Sequence, residues 1–276
     1  DYSSKEIIVI DDGSEDDTGE IIESYGDKVR YIFQENMGPG AARNRGASEA
    51  RGQYLMFLDA DDEYLPGIIE KMVEGFAVFP GADAGMFGCK KNDSSGTELE
   101  RLFEEKHIAM VDDFFRIKMK YGSPCTDSFI CRREVFFAIG GYPTEISRGE
   151  DRKFFICLGG GYDWFLLPEY GAVYYPSRIN TTTQNTPIDP YVRLNSLILS
   201  RDEIASLIRP ELRKSYEKYQ QVLVKSTIGV CQFYIDHYFQ FYKALKAKTK
   251  LSLKNRLYYL AVWVRSTFRN NHKSCQ

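Results

Sequence analysis

The sequence predicts an α/β protein: a mostly parallel sheet with helices on both faces, followed by a C-terminal helical extension. Three observations predict it. Apolar runs of strand length recur at residues 6–10, 29–34, 54–58 and 84–89, with helical stretches between them, the alternation that βαβ units produce. Two of these runs end in acidic clusters, Asp11-Asp12 and Asp59-Ala60-Asp61-Asp62, and ligands of such sheets bind outside the carboxyl ends of the strands. From residue 191 onward the pattern turns helical, with stretches 191–208 and 211–246 separated by Arg209-Pro210.

Glu6-Ile7-Ile8-Val9-Ile10 is continuously apolar after its first residue, as expected of a strand buried on both faces. It ends in Asp11-Asp12-Gly13-Ser14, and Asp16-Asp17-Thr18 opens a short helix to about residue 24. The loop Glu35-Asn36-Met37-Gly38-Pro39-Gly40 leads into a helix over 41–51, stopped by Gly52. Pro66 starts the next helix, to about residue 79. Beyond residue 90 the pattern weakens. Helices are expected over 111–121 and 132–139, and another at 154–158 stopped by Gly159-Gly160-Gly161. Two short strands, 164–167 and 172–175, and a polar loop at 179–190 follow. The boundary this implies separates a catalytic-looking domain, 1–180, from a loop and basic helical region, 181–276.

At 276 residues the chain is long enough for a sizeable core. Six cysteines without a CxxC pair point to reduced thiols in the cytoplasm, not to a zinc site or disulfide framework. No apolar run approaches the ~20 residues of a spanning helix. The net charge of −3 conceals an asymmetry: residues 201–276 carry 15 Lys/Arg against 5 Asp/Glu, and the first 200 carry 21 against 34. Leu253, Leu257, Leu260, Ala261, Val264 and Phe268 form a helical stripe among Lys and Arg residues. Such a tail suits an anionic membrane surface; packing on the catalytic domain or a dimer interface is the open alternative. No nucleic-acid module surrounds the basic stretch, which argues against nucleic-acid binding.

The chemistry concentrates in Tyr54-Leu55-Met56-Phe57-Leu58-Asp59-Ala60-Asp61-Asp62. If the extended geometry persists, Asp59 and Asp61 leave on the same side. Two such carboxylates repel unless a cation sits between them. Hard oxygen ligands suit Mg²⁺ or Mn²⁺, which also accept phosphate oxygens. An acidic turn with Asp62 capping the following helix is the competing reading, and the local sequence leaves both open.

Three motifs stand in order: Ile8-Val9-Ile10-Asp11-Asp12-Gly13-Ser14, Asn36-x-Gly38-x-x-Ala41-Ala42-Arg43-Asn44-x-Gly46, and Phe57-Leu58-Asp59-Ala60-Asp61-Asp62. Together they closely resemble the nucleotide-diphospho-sugar domain of family 2 glycosyltransferases, which have the GT-A fold. Gly140-Gly141-Tyr142 followed by Gly149-Glu150-Asp151 adds a fourth likeness, and the resemblance covers roughly residues 5–176. It implies an inverting transfer of a sugar from a nucleotide-diphosphate donor, UDP-linked above all, to a hydroxyl of a saccharide or lipid-linked saccharide acceptor. The setting would be bacterial-type surface polysaccharide or glycoconjugate synthesis, in the cytoplasm or at the inner face of the plasma membrane. By the same resemblance Asp61 is the direct ligand of a divalent Mg or Mn ion, and Asp59 contacts the metal shell or the ribose. Asp12 receives the imide N–H of the base, with Asp11 sharing this role or serving structure. Arg43 lies near the nucleotide, Asp151 is the catalytic base, and Glu150 beside it contacts the acceptor or orients the base. Asn44 and Gly46 shape the helix and its packing.

The sequence departs from the family in three places. No histidine falls between residues 108 and 236 to join the metal, so the metal would rest on Asp61, diphosphate and water. The Gln-x-x-Arg-Trp signature of processive synthases is absent, which favours addition of a single sugar. The family's first strand and helix, which normally precede the 6–10 run, are not in this sequence, so an N-terminally truncated domain is expected. A nucleotidyltransferase-like enzyme and a non-catalytic nucleotide-sugar-binding relative are the competing functions. The first would carry a glycine-rich basic phosphate loop, and the second would have lost the metal or base carboxylates.

Overall fold

The first apolar run becomes β1 (Ile8–Asp12), shifted toward its acidic end, so Asp11 and Asp12 belong to the strand. The computed structural model describes residues 2–91, 107–121, 124–144, 150–175, 204 and 206–230. The expected loop at 179–190, most of the 191–208 helix and the stripe at 253–268 lie outside the described residues.

After α1 (Thr18–Glu23), β2 (Arg30–Gln34) pairs with β1 in parallel, from Ile8 opposite Arg30 to Asp12 opposite Gln34. α2 (Pro39–Glu49) packs on β1; a Cβ on Gly46 would sit 3.4 Å from Cγ1 of Ile10. The chain then enters β3 (Tyr54–Met56), which joins a different sheet. That second sheet also contains β4 (Glu63–Tyr64), β5 (Ala84–Lys91), β6 (Ala109–Val111), β7 (Phe129–Arg132) and β8 (Trp164–Tyr174). Its order is β3-β7-β5-β8-β4, with β6 also on β8. β5 and β8 run parallel, whereas β7 is antiparallel to both β3 and β5. The protein is α/β as expected, with a mixed larger sheet.

Among the described residues, β1 and β3 are not paired with each other, and each has one edge without a strand partner. Their starts are joined differently. One carboxylate oxygen of Glu6 accepts the backbone N–H of Arg51 (2.6 Å) and of Gly52 (3.0 Å).

Helices cover the larger sheet on both faces. α3 (Ile68–Val78) buries Ile68, Met72 and Phe76 against Phe87 and Phe165. The opposite face carries α4 (Phe114–Tyr121), α5 (Arg133–Ala138) and α6 (Glu150–Gly161), whose Phe115, Phe136, Phe154 and Phe155 pack with Phe129 and Trp164. The glycine triplet expected to stop α6 lies inside it. The small residues are needed for packing: a Cβ on Gly159 would lie 2.0 Å from the Phe114 ring, and one on Gly160 2.1 Å from Cδ1 of Ile208.

The described part of the C-terminal region, α7 (Arg213–Val230), packs on α4. Ser215 donates its hydroxyl to Asp113 at 2.5 Å, and Phe115 meets the rings of Tyr216 and Tyr219 at 5.2 and 5.6 Å. No described helix is long and apolar enough to cross a membrane.

Candidate active site

The end of β1 turns sharply at Gly13, whose φ of +89° L side chains rarely adopt and whose Cβ would sit 3.0 Å from the Asn36 nitrogen. Asp11 is buried and committed to this corner, accepting the Ser14 N–H at 2.8 Å and the Tyr31 hydroxyl at 2.7 Å. Burial raises its pKa, but the bonds from Tyr31 and Ser14 outweigh that, so the carboxyl lies below its usual value. The same bond pushes the Tyr31 hydroxyl up to about 12. Asp12 holds the next loop. It accepts from the Gln34 side chain (2.7 Å) and from the backbone of Met37 (2.9 Å) and Gly38 (2.8 Å), fixing the entrance to α2.

Arg43 projects from α2 into the centre of the site. Its guanidinium donates to Asp59 at 2.7 Å and to Glu150 at 3.0 Å, and lies 5.2 Å from the Tyr142 ring centroid. The Arg43 and Glu150 side chains are only 14% and 13% exposed, against 40% for Asp59. One fork of donors thereby ties the acidic turn after β3 to the first residue of α6. One residue along α2, Asn44 exchanges two hydrogen bonds with the Tyr142 backbone, at 2.7 and 2.8 Å. This is the packing role expected of it.

β3 ends at Met56, sooner than expected, and the acidic stretch leaves it in a turn closed by the Asp62 N–H on the Asp59 carbonyl (3.1 Å). Strand alternation therefore does not govern these side chains. Carboxylate oxygens of Asp59, Asp62 and Asp127 lie within 4.8 Å of one another. Asp61 is exposed beside this group and outside it. Asp62 does not cap α3, which opens after Gly67; it accepts the Tyr175 N–H at 2.9 Å. Asp127, 2% exposed, accepts the Asp59 N–H at 2.6 Å. Burial, then the Asp59 charge, then the bond with Asp62 push Asp127 up to about 8. Burial also raises Asp62. Without a cation this trio retains a proton, and three converging carboxylates are the hard-oxygen donor set that suits Mg²⁺ or Mn²⁺.

Asp127 was not foreseen. Its one signal was being the single charged residue between Lys120 and Arg132, in a stretch with no helical or strand period. Asp151 follows Glu150 at the start of α6, half-buried, and accepts the Arg152 N–H at 2.7 Å. Of the predicted residues, the structure joins Arg43, Asp59 and Glu150 directly, and keeps Asp11 and Asp12 on the separate β1 corner; Asp151 follows Glu150 along α6.

The family model for glycosyl transferase family 2 matches residues 1–140. Over 72 residues the chain is 46% identical to an uncharacterized glycosyltransferase of Rickettsia prowazekii, covering 26% of this chain and 23% of that protein. Over 111 residues it is 35% identical to the GalNAc(5)-diNAcBac-PP-undecaprenol beta-1,3-glucosyltransferase of Campylobacter jejuni, covering 37% and 36%. Each match spans well under half of the relative's length. A structure of S. aureus TarS 1–349 in complex with UDP-GlcNAc shares the fold, with a TM-score of 0.66 at 19% identity over 95% of this chain and 70% of that one. The same TarS fragment with UDP gives a TM-score of 0.61 at 17% identity, over 95% and 71%.

Proposed function

Because the chain belongs to glycosyl transferase family 2, we propose that it moves a sugar, with inversion, from a nucleotide-diphosphate donor to an acceptor hydroxyl. A UDP-linked donor is favoured by the solved relatives carrying UDP and UDP-GlcNAc. One observation carries the reading: Arg43 holds Asp59 of the acidic turn and Glu150 of α6 in a single grip. Donor-side and acceptor-side carboxylates therefore share one rim.

In this reading Asp61, from the exposed turn, and Asp59 hold a divalent Mg or Mn ion, with Asp62 and Asp127 close enough to Asp59 to support it. The ion, when bound, acts as a Lewis acid on the departing diphosphate. Asp151 accepts the acceptor's hydroxyl proton as the new bond forms. Glu150, fixed by Arg43, orients the acceptor beside it and excludes rotation of the first turn of α6. On the nucleotide side, Asp12 has three donors in place. A carboxylate offers about four acceptor positions, which leaves room for the imide N–H of the base. Asp11 keeps that corner rigid. The membrane-facing role of the tail belongs to the same proposal, and anionic vesicles tested against the full chain decide it.

The decisive experiment pairs a panel of UDP-, GDP- and dTDP-sugars with Mn²⁺ and two variants of the full chain. Asp61→Asn is expected to lose Mn²⁺-dependent donor binding. Asp151→Asn is expected to keep donor binding and lose transfer by at least about 100-fold. Normal transfer by Asp151→Asn removes it as the base.

A further inference from the structure

Tyr174 ends β8 with 40% of its surface exposed, whereas Ala172, two residues earlier on the same strand face, is fully buried. Its backbone is tied to the acidic turn. β4 pairs with β8 through Tyr64 opposite Ala172 and Glu63 opposite Val173, so one step further brings Asp62 beside Tyr174. The Tyr175 N–H, on the peptide that Tyr174 shares, donates to the Asp62 carboxylate at 2.9 Å. Asp62 in turn has a carboxylate oxygen within 4.8 Å of those of Asp59 and Asp127. One peptide link and one hydrogen bond therefore separate Tyr174 from the converging carboxylates.

The ring has a direction. The Tyr175 hydroxyl reaches back to Glu63 at 2.9 Å, and successive strand residues point to opposite faces, so the Tyr174 ring leaves by the other face. Burial, then the charges of Asp62, Asp61 and Asp59, raise its hydroxyl above the usual value, as befits a phenol beside the turn. A single exposed aromatic needs no explanation. This one has a counterpart in Leu58, which enters the same turn and is 47% exposed. Two exposed apolar side chains bracket a few convergent polar groups, the composition that ligand sites present.

Position along the rim narrows the ligand. Glu6 and α2 tie β1 to the β3 edge of the larger sheet. β7 and β5 stand between β3 and β8, which sets β8 about 14 Å from β3 at ordinary strand spacing. A donor with its base at the Asp11–Asp12 corner and its diphosphate at the turn points its sugar, and the group attacking that sugar, toward the β8 end. A pyranose carries C–H groups on its faces and hydroxyls around its edge. Its faces suit the electron-rich face of an aromatic ring, and its edge suits carboxylates and water.

We infer that Tyr174 is an acceptor-binding residue: its exposed ring receives the C–H face of a pyranose at the β8 end of the rim, so that the acceptor is held as a saccharide. The inference rests on the transferase reading above and names the ligand of its acceptor side.

Saturation-transfer NMR reads the contact without requiring turnover. The full chain is mixed with Mn²⁺ and the nucleoside diphosphate that the donor panel selects, and the probes are the methyl β-glycosides of glucose, N-acetylglucosamine and N-acetylgalactosamine. At least one glycoside is expected to bind, with saturation strongest on its ring C–H protons. Tyr174→Ala and Tyr174→Leu are expected to weaken that binding about tenfold, the order of one lost aromatic contact. Tyr174→Phe, which keeps the ring face, is expected to stay within about threefold of the wild type. Mn²⁺-dependent binding of the nucleoside diphosphate to each variant reports that it is folded. Three results overturn the inference: no glycoside bound by the wild type, equal affinity in the alanine variant, or a phenylalanine variant as weak as the alanine one. A fourth is weaker binding of the nucleotide sugar, but not of the nucleoside diphosphate, by Tyr174→Ala, which gives the ring to the donor. Failure of the transferase reading is distinct: the wild type then binds no nucleotide sugar in Mn²⁺.

Discussion

Arg43→Met tests whether the Arg43 fork holds the site together. Methionine keeps the length of the side chain and a favourable contact with the Tyr142 ring, so the variant removes charge with little loss of packing. Glu150, at 13% exposure, then remains buried beside a turn that carries Asp59. Breaking a fully buried pair costs 3–5 kcal/mol, but Asp59 is 40% exposed and water screens its share. The net loss expected is about 2–3 kcal/mol, or roughly 4–6 °C in Tm for a protein of this size. Thermal unfolding in chelator measures it without interference from bound metal. Adding Glu150→Gln should recover about 1 kcal/mol or more, because the stranded charge is gone. A drop of less than about 2 °C in the single variant, or a double variant no more stable than the single, refutes the reasoning.

Two further outcomes follow from the geometry. Asp127 is raised to about 8 in the folded protein, from an ordinary value near ~4. The folded state therefore binds the proton more tightly, and the stability this contributes is fully present below about pH 4 and lost as pH rises through about 8. Asp127→Asn, which still accepts the Asp59 N–H, should flatten that decline and exceed the wild type in Tm at pH 8–9 in chelator. Lower stability than the wild type at every pH would count against the shared-proton account. Gly159→Ala should cost about 2–3 kcal/mol by forcing Phe114 away from α6. Gly81→Ala, with no atom within 4 Å of the new methyl, serves as the control, and equal urea midpoints for the two would show that α4 yields freely.

What was legible in the sequence was local. The strand run of β1 and β2, the glycine-bounded entry to α2, and α3 after Pro66 each depend on residues within one or two turns of each other. The acidic corner residues were legible for the same reason. Interactions across long separations were not. Arg43 reaches Glu150 across 107 positions, and Asp127 reaches the Asp59 turn from a stretch without periodicity. β4, β6 and β7, of two to four residues, are too short for an alternating pattern to register. The glycine triplet misled because its small size serves close approach of Phe114 and Ile208, whereas a glycine run seen without its neighbours reads as a helix stop. Asp59 converges with Asp62 and Asp127, with Asp61 outside that group, because β3 ends three residues before Asp59 and strand alternation no longer applies.

The division of the sheet between β1 and β3 gives α2 a mechanical role. No ladder of backbone hydrogen bonds among the described residues sets the distance between the Asp11–Asp12 corner and the Asp59 turn. α2 spans them, with Gly46 against Ile10, Ala47 in the core that holds Leu55, and Arg43 gripping Asp59, while Glu6 ties the starts of the two strands. It works as a splint between two plates, so its fit on each plate fixes the span available to a nucleotide and its diphosphate. A bulkier residue at Gly46 would lengthen or tilt that span while touching neither corner, changing which donors fit without altering a single carboxylate.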